Sequence, residues 1–268
     1  MDPGTRVAIG AALLLVAAGP AAAEAPEARD RFDVVVIDAG HGGDDRGALG
    51  VRVLEKELVL DVAQLLASRL RGEGLRVVMT REDDRTVPLE ARTSLANDAR
   101  GDLFVSIHAN SAPAAEARGV ETFFVSLEAS DAEAHRVAAR ENEAFGGRDG
   151  QAAGDPLVAL LGDLIATEHL MESQDFARLA QTELAAAVRE PSRGVKQAPF
   201  VVLMGVQMPA SLVEIGFVSN PREAAALRGV ERRREIAEAL ARAVLRFGRS
   251  YDAKRGVESV RPGALGGG

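Results

Sequence analysis

Two of the four histidines in this 268-residue chain follow short apolar segments that have the composition of buried strands. His41 follows residues 34–37 in the glycine-rich sequence DAGHGG, and His108 follows residues 103–107 in the sequence SIHAN. Ligand sites of α/β sheets lie beyond the carboxyl ends of strands, and neutral imidazoles bind zinc readily. The pair therefore predicts a metal site, although His41 alone fits a structural turn equally well.

The residue types limit the other kinds of site. His135 and His169 fall inside predicted helices among charged neighbours, which favours a surface position. The chain contains no cysteine, so disulfides are excluded and a metal site requires histidine, aspartate or glutamate. A glycine-rich strand end can also bind phosphate, but neither G-x-x-x-x-G-K-[ST] nor G-x-G-x-x-G opens a helix at this point.

A third ligand is expected from the helix predicted at residues 55–71, which begins with the sequence EKE. Glu55 shares a face with the apolar residues at i+3, i+7, i+10 and i+11, which must pack on the sheet. Glu57 lies on the polar face of the same helix. A carboxylate at the end of a buried stripe is unfavourable unless it is paired or binds a metal, so we select Glu55. The alternative is a glutamate favoured only by the helix dipole.

One carboxylate, Glu214, interrupts an otherwise apolar strand in the sequence SLVEIGF. Beside a metal, such a carboxylate acts as a general base toward water and then as a general acid toward the leaving amine. Three protein ligands with one open position are typical of catalytic rather than structural zinc. The alternative is a buried salt bridge, for example with Arg81 or Arg92.

The composition fits a globular protein with one buried core. Hydrophobic residues make up 47% of the chain, and 32 basic and 40 acidic side chains give a formal charge of -8. This balance disfavours charge-driven binding to nucleic acid or to an anionic membrane. Residues 1–23 contain a basic residue, an apolar run and a small-residue end, which is the layout of a secretory signal peptide cleaved near Ala23. We therefore expect a periplasmic or secreted protein, without a membrane span after cleavage.

Beyond the signal segment, the pattern predicts a linker at residues 24–32, a catalytic domain at 33–250 and a disordered tail at 251–268. Apolar segments alternate with helical patterns, and several are apolar on both faces. We therefore predict a single α/β domain with a twisted, mostly parallel six-stranded sheet and helices on both faces. The predicted strands are residues 34–37, 76–79, 103–107, 120–125, 200–203 and 211–215. The predicted helices are residues 55–71, 89–100, 131–145, 156–170, 173–189 and 231–247.

Seven ordered sequence blocks between residues 34 and 247 make the chain resemble a known family, the zinc-dependent N-acetylmuramoyl-L-alanine amidases. The blocks are VVVIDAGHGGDDRGALG, LEKELVLDVA, VVMTREDDRTVPLEAR, DLFVSIHANS, ARGVETFFVS, RGVKQAPFVVL and MPASLVEIGFVSNPRE. The resemblance implies that His41, Glu55 and His108 bind one zinc ion and that Glu214 assists proton transfer. It also implies hydrolysis of the amide bond between N-acetylmuramic acid and L-alanine in peptidoglycan.

Residues 131–174 contain more helix than one crossover between strands requires. The segment is either an ordinary surface insertion or a lid. It is similar to the insertion of cell-division amidases, in which a helix blocks the zinc until an activator protein displaces it. The hypothesis is that Glu141, or second Glu143, fills the open zinc position in the resting enzyme. Solvated acidic side chains on a helix face are the alternative.

Two other functions compete with amide hydrolysis at the sugar during cell-wall remodelling and daughter-cell separation. One is a zinc peptidase that cuts within the stem peptide of peptidoglycan. The other is a non-catalytic cell-wall-binding module that retains the fold. The joint presence of three ligands and Glu214 favours an enzyme. We expect the partners to be peptidoglycan and an activator protein, and we expect a monomer.

Overall fold

The structure is a computed structural model that describes residues 31–50, 52–143 and 167–257. The predicted signal peptide, most of the linker and the end of the tail lie outside the described residues, as does the segment 144–166. The strands are β1 (Val34–Ala39), β2 (Leu49–Gly50), β3 (Val53–Leu54), β4 (Arg76–Met79), β5 (Leu103–Asn110), β6 (Val120–Val125), β7 (Ser192–Ala198) and β8 (Ala210–Phe217). The helices are α1 (Glu55–Gly72), α2 (Leu89–Asp98), α3 (Ala132–Asn142), α4 (Thr167–Val188), α5 (Val201–Met204), α6 (Pro221–Leu227) and α7 (Val230–Lys254).

Six of the strands form one sheet in the order β4-β1-β5-β8-β6-β7. All neighbouring pairs are parallel except β6 and β8, which are antiparallel. The strands β2 and β3 form a separate two-stranded hairpin. The predicted single α/β domain with a mostly parallel six-stranded sheet is confirmed.

Hydrophobic clusters cover both faces of this sheet, as predicted. Successive residues of a strand point to opposite faces, and Val35 and Val36 accordingly belong to different clusters. The first cluster joins the sheet to α1, α4 and α7, and the second joins it to α2, α3 and α5. Strands buried on both faces explain why their sequences are almost continuously apolar.

The strand predicted at residues 200–203 is wrong. This apolar segment forms the short helix α5, whose residues are all buried, and the sixth strand is instead β7. Periodicity cannot separate strand from helix in so short an apolar run. β7 lies at the edge of the sheet and is mostly half-buried, so its sequence SRGVKQA lacks the apolar signal of the inner strands.

Three predicted boundaries also differ from the structure. α4 is continuous from residue 167, so the predicted break between two helices at 171–172, where neither glycine nor proline occurs, is absent. α7 continues to Lys254, four residues into the predicted tail. Phe32, predicted as linker, is buried and packs edge-on against Phe247 and Tyr251, each with ring centroids 5.7 Å apart. Packed structure therefore includes Phe32, and helical structure continues to Lys254.

Within the described part of the chain, no helix has the length and apolar character that crossing a membrane requires.

Candidate metal centre

His41 lies in the turn that follows β1 and has a left-handed backbone, with φ of 59°. This conformation is unfavourable for residues other than glycine, so the surrounding structure must hold it in place. Two buried arginines hold the backbone of this turn through hydrogen bonds to its carbonyl oxygens. Arg92 donates hydrogen bonds to the carbonyl oxygens of Ala39 at 2.8 Å and His41 at 2.6 Å, and Arg81 donates to that of Gly40 at 2.8 Å. The turn that presents His41 is therefore rigidly supported.

Glu55 is the first residue of α1, and its side chain is fully buried. Its Oε2 atom accepts a hydrogen bond from the amide of Ala48 at 2.7 Å, and Oε1 accepts one from the amide of Ala109 at 2.9 Å. These bonds aim Oε1 at both imidazoles, 3.0 Å from His41 Nε2 and 3.2 Å from His108 Nδ1. Glu57 is exposed, so of the two carboxylates only Glu55 lies beside the two imidazoles, on the face that the helical period predicts to be buried.

His108 projects from β5 into the space left by a glycine. A Cβ atom at Gly40 would lie only 2.4 Å from His108 Cε1, which is much shorter than a normal contact between two carbon atoms that are not bonded. Any larger residue at position 40 would displace the imidazole. The two rings meet edge-on with centroids 4.9 Å apart. The glycine-rich sequence thus serves close packing of the two histidines.

Glu141 completes a group of four side chains. Its Oε2 atom lies 2.9 Å from His108 Nδ1 and 3.2 Å from His41 Nε2. The four donor atoms of His41, Glu55, His108 and Glu141 lie within 4.8 Å of one another. Glu143, the second candidate, is exposed on the same helix end.

The donor set fits a bound metal ion better than it fits internal hydrogen bonding. His41 Nε2 and Glu141 Oε2 are buried and close together, yet neither makes a hydrogen bond of acceptable geometry. Buried polar atoms are rarely left without partners, and a cation between them would satisfy both. The other ring nitrogen, His41 Nδ1, lies 2.8 Å from Asp45 Oδ2, the kind of partner that orients metal-binding imidazoles. Two imidazoles with carboxylates are a donor set typical of zinc.

The electrostatics of the group favour positive charge. Burial alone would lower the pKa of His41, but the negative charge of Glu55 overcomes this and raises that pKa to about 12. The pKa of His108 rises to about 9 because the charge of Glu141 likewise outweighs burial. The field that favours a second proton on each imidazole favours a divalent cation at the same place.

Glu214 lies beside this group, opposite His108 in the register between β8 and β5. Its side chain is fully buried, and neither carboxylate oxygen has a hydrogen-bond partner. Burial raises the pKa of Glu214 well above its ordinary value, which the charge of Arg140, 3.5 Å away, only partly offsets. Neither Arg81 nor Arg92 is the partner of Glu214, because both arginines support the His41 turn and Arg92 pairs with Asp38 at 2.7 Å. The buried ion pair of Glu214 is instead the contact with Arg140.

Comparison with known proteins assigns the family. A family model described as N-acetylmuramoyl-L-alanine amidase matches residues 35–246. The chain belongs to the N-acetylmuramoyl-L-alanine amidase family. The amidase AmiA of Escherichia coli K12 is 35% identical over 223 residues, which cover 82% of this chain and 77% of AmiA.

A second amidase, AmiC of Escherichia coli O6:H1, is 33% identical over 216 residues, which cover 79% of this chain and 52% of AmiC. The chain therefore spans about half the length of AmiC. The crystal structure of an N-acetylmuramoyl-L-alanine amidase from Clostridium difficile 630 superposes with a TM-score of 0.64 at 27% identity, covering 82% of this chain and 99% of that one.

Sequence reasoning missed three parts of the amidase site. Asp45, which contacts His41, lies in a loop without a periodic signal. Asp38 is fully enclosed by Thr80, Arg92 and Ser106, which donate hydrogen bonds to its carboxylate at 2.7 Å each. Arg140 contacts both Glu141 and Glu214, at 2.7 and 3.5 Å. Of the three, only Asp38 has a signal in the sequence: it is a charged residue within the otherwise apolar sequence VVVIDAG, where a carboxylate requires buried partners.

Proposed function

We propose that this chain hydrolyses the amide bond between N-acetylmuramic acid and L-alanine in peptidoglycan, releasing the stem peptide from the glycan. The observation that supports it is the position of the fully buried Glu214, without a hydrogen-bond partner, beside His41, Glu55 and His108. The names of the relatives fit the same substrate. The three side chains hold one zinc ion in this proposal, consistent with the donor chemistry of the group.

Each residue of the site then has a separate task. Bound zinc would supply a Lewis acid that polarises the amide carbonyl and lowers the pKa of water. Glu214 takes a proton from the attacking water on a carboxylate oxygen and delivers it to the nitrogen of the leaving L-alanine. A carboxylate whose pKa burial has raised suits both halves of this transfer. Asp45, Arg81 and Arg92 keep the His41 imidazole in place.

We further propose that the enzyme acts outside the cytoplasm, during cell-wall remodelling and daughter-cell separation. The support for export is the signal-peptide layout of residues 1–23, which lie outside the described residues. The support for a role in cell separation is the similarity of the segment 131–174 to the insertion of cell-division amidases.

Purified sacculi provide the test of the reaction. Zinc-loaded protein should release peptides with a free amino-terminal L-alanine and leave glycan chains that carry unsubstituted muramic acid lactyl groups. Mass spectrometry of the soluble products distinguishes this outcome from cleavage between two amino acids of the stem peptide. Peptides shortened at an internal bond, or no products after removal of the blocking helix described next, would contradict the proposal.

We infer that α3 holds the enzyme in a resting state. Glu141 occupies the position among the donors that a substrate carbonyl or water would need, and Arg140 of the same helix covers Glu214. Asn142 anchors the helix end, since it accepts a hydrogen bond from the amide of Val201 at 2.9 Å. A protein that binds the 131–174 segment more tightly in another position would shift the population toward an open site.

Replacing Glu141 with glutamine should raise hydrolysis by wild-type-length protein at least about tenfold, because a neutral amide is a far weaker metal donor than a carboxylate. Release of dye-labelled fragments from sacculi measures the rate. Glu143→Gln is the matched control: the same chemical change, two residues away on an exposed side chain, should leave the rate unchanged. Equal or lower activity of a folded Glu141→Gln protein would exclude the resting-state role.

A further inference from the structure

Two basic residues of the edge strand β7, Arg193 and Lys196, contact the same helix, α3, that carries Glu141, and they have no task in the proposed reaction. We call them the basic pair. Both contact the fully buried carboxylate of Glu121, with distances to Glu121 Oε2 of 3.3 Å from Arg193 Nε and 3.1 Å from Lys196 Nζ. The side chains are largely covered, at 23% and 11% exposure, so the pair is held in a defined position.

The helix α3 supplies the other partners of the basic pair. Glu133 contacts both cations, pairing with Arg193 Nη2 and lying 3.4 Å from Lys196 Nζ. Asp131, the N-cap residue of α3, lies 3.5 Å from Lys196 Nζ. With α3 in place, three carboxylates surround two cations. If α3 leaves, Glu121 alone remains, and the basic pair carries one excess positive charge in a largely buried position.

The basic pair also lies at a defined distance from the reacting centre. Glu121 is directly opposite Glu214 in the ladder between β6 and β8. Along α3, Glu133 and Glu141 are eight residues apart, which corresponds to about 12 Å at 1.5 Å per residue. One carboxylate of α3 thus lies at the metal centre, and another lies about 12 Å away at the basic pair. An extended peptide covers that distance in roughly three to four residues.

We propose that the basic pair is a subsite for a carboxylate of the stem peptide, and that Glu133 occupies this subsite in the resting state. The inference rests on the proposed function, because it takes the scissile amide to lie where Glu141 now lies. α3 then imitates an acidic peptide at two points, and its departure uncovers the metal centre and the subsite together. A buried cation without its partner is unfavourable, so the subsite selects a negatively charged group over a neutral one.

Muropeptide pairs that differ only in a free carboxylate or a carboxamide on the second or third residue of the stem test the proposal. Rates are measured with the Glu141→Gln protein, and binding is measured by calorimetry with zinc-loaded Glu141→Gln/Glu214→Gln. For at least one position, kcat/KM and affinity should favour the carboxylate by about tenfold or more, the usual value of a charge-assisted hydrogen bond. Lys196→Gln should reduce this ratio to within about threefold of unity, and Lys196→Arg should retain it.

Lys254→Gln is the matched control, since it removes the same charge from an exposed pair with Asp175 on a different helix. It should leave the ratio unchanged. A ratio near unity in the parent protein, or an unaltered ratio in Lys196→Gln, overturns the subsite. If the parent binds the carboxylate form preferentially through Lys196 but cleaves neither form, the subsite stands and the proposed function fails. If the parent cleaves both forms at the same rate, the proposed function stands and the subsite fails.

Discussion

Glu214→Gln is expected to lower the hydrolysis of purified sacculi by about a thousandfold, in the range that loss of a general acid–base catalyst produces. Glutamine has nearly the same shape but cannot take the proton from water. Because burial opposes a charge at this position, a neutral side chain should not destabilise the fold. The variant should therefore bind one equivalent of zinc and unfold at or above the temperature of the wild type. Initial rates, metal content and thermal unfolding of the same preparation measure the three properties.

Introducing this change into both the wild type and the Glu141→Gln background separates catalysis from the resting state. The loss should be of similar size in both backgrounds if Glu214 acts on the reaction itself. A folded Glu214→Gln protein that contains zinc and cuts at the wild-type rate would show that another group transfers the proton.

His108→Ala should remove both metal and activity. In the proposed zinc site, losing His108 leaves the carboxylates of Glu55 and Glu141 close together with fewer donors. Mutation of a residue that only supports a metal ligand already lowers metal affinity about ten- to a hundredfold, so loss of a ligand should lower it at least as much. We expect zinc content to fall well below one equivalent after dialysis and hydrolysis to fall at least about a hundredfold. Elemental analysis and fragment release measure the two effects.

His135→Ala is the control for this substitution, because His135 is an exposed histidine that contributes nothing to the cluster. It should retain zinc and activity. A His108→Ala protein that keeps a full equivalent of zinc would place the metal elsewhere, even if its activity were lost.

Four residues of the site could be placed from the sequence because each position depends on a local rule. They are His41, Glu55, His108 and Glu214. His41 and His108 were placed by the carboxyl ends of their strands, and neighbouring parallel strands end at the same edge of a sheet. The helical period of α1 separated Glu55 from Glu57. Glu214 was identified as a charge inside an apolar strand.

Contacts that depend on how separate elements approach one another were not predictable in this way. Arg140 meets Glu214 only because the side chains at the end of α3 reach residues of β5 and β8, and no spacing in the sequence indicates that approach. β7 was missed because edge strands need only one buried side, so polar residues such as Lys196 interrupt the pattern. Glu141 was identified through the resemblance to the family rather than through its own spacing.

The connection between β6 and β7 has a consequence for how such proteins diverge. These strands are parallel neighbours at the edge of the sheet, so the chain must return from one end of the sheet to the other between them. That return carries α3, whereas His41, Glu55, His108 and Glu214 come from other segments. Under the proposed resting state, insertions, deletions or recombination in this one segment change when the enzyme acts without altering the residues proposed to carry the reaction. Relatives that differ only in this connection would then differ in the proposed restraint while sharing the same donor side chains.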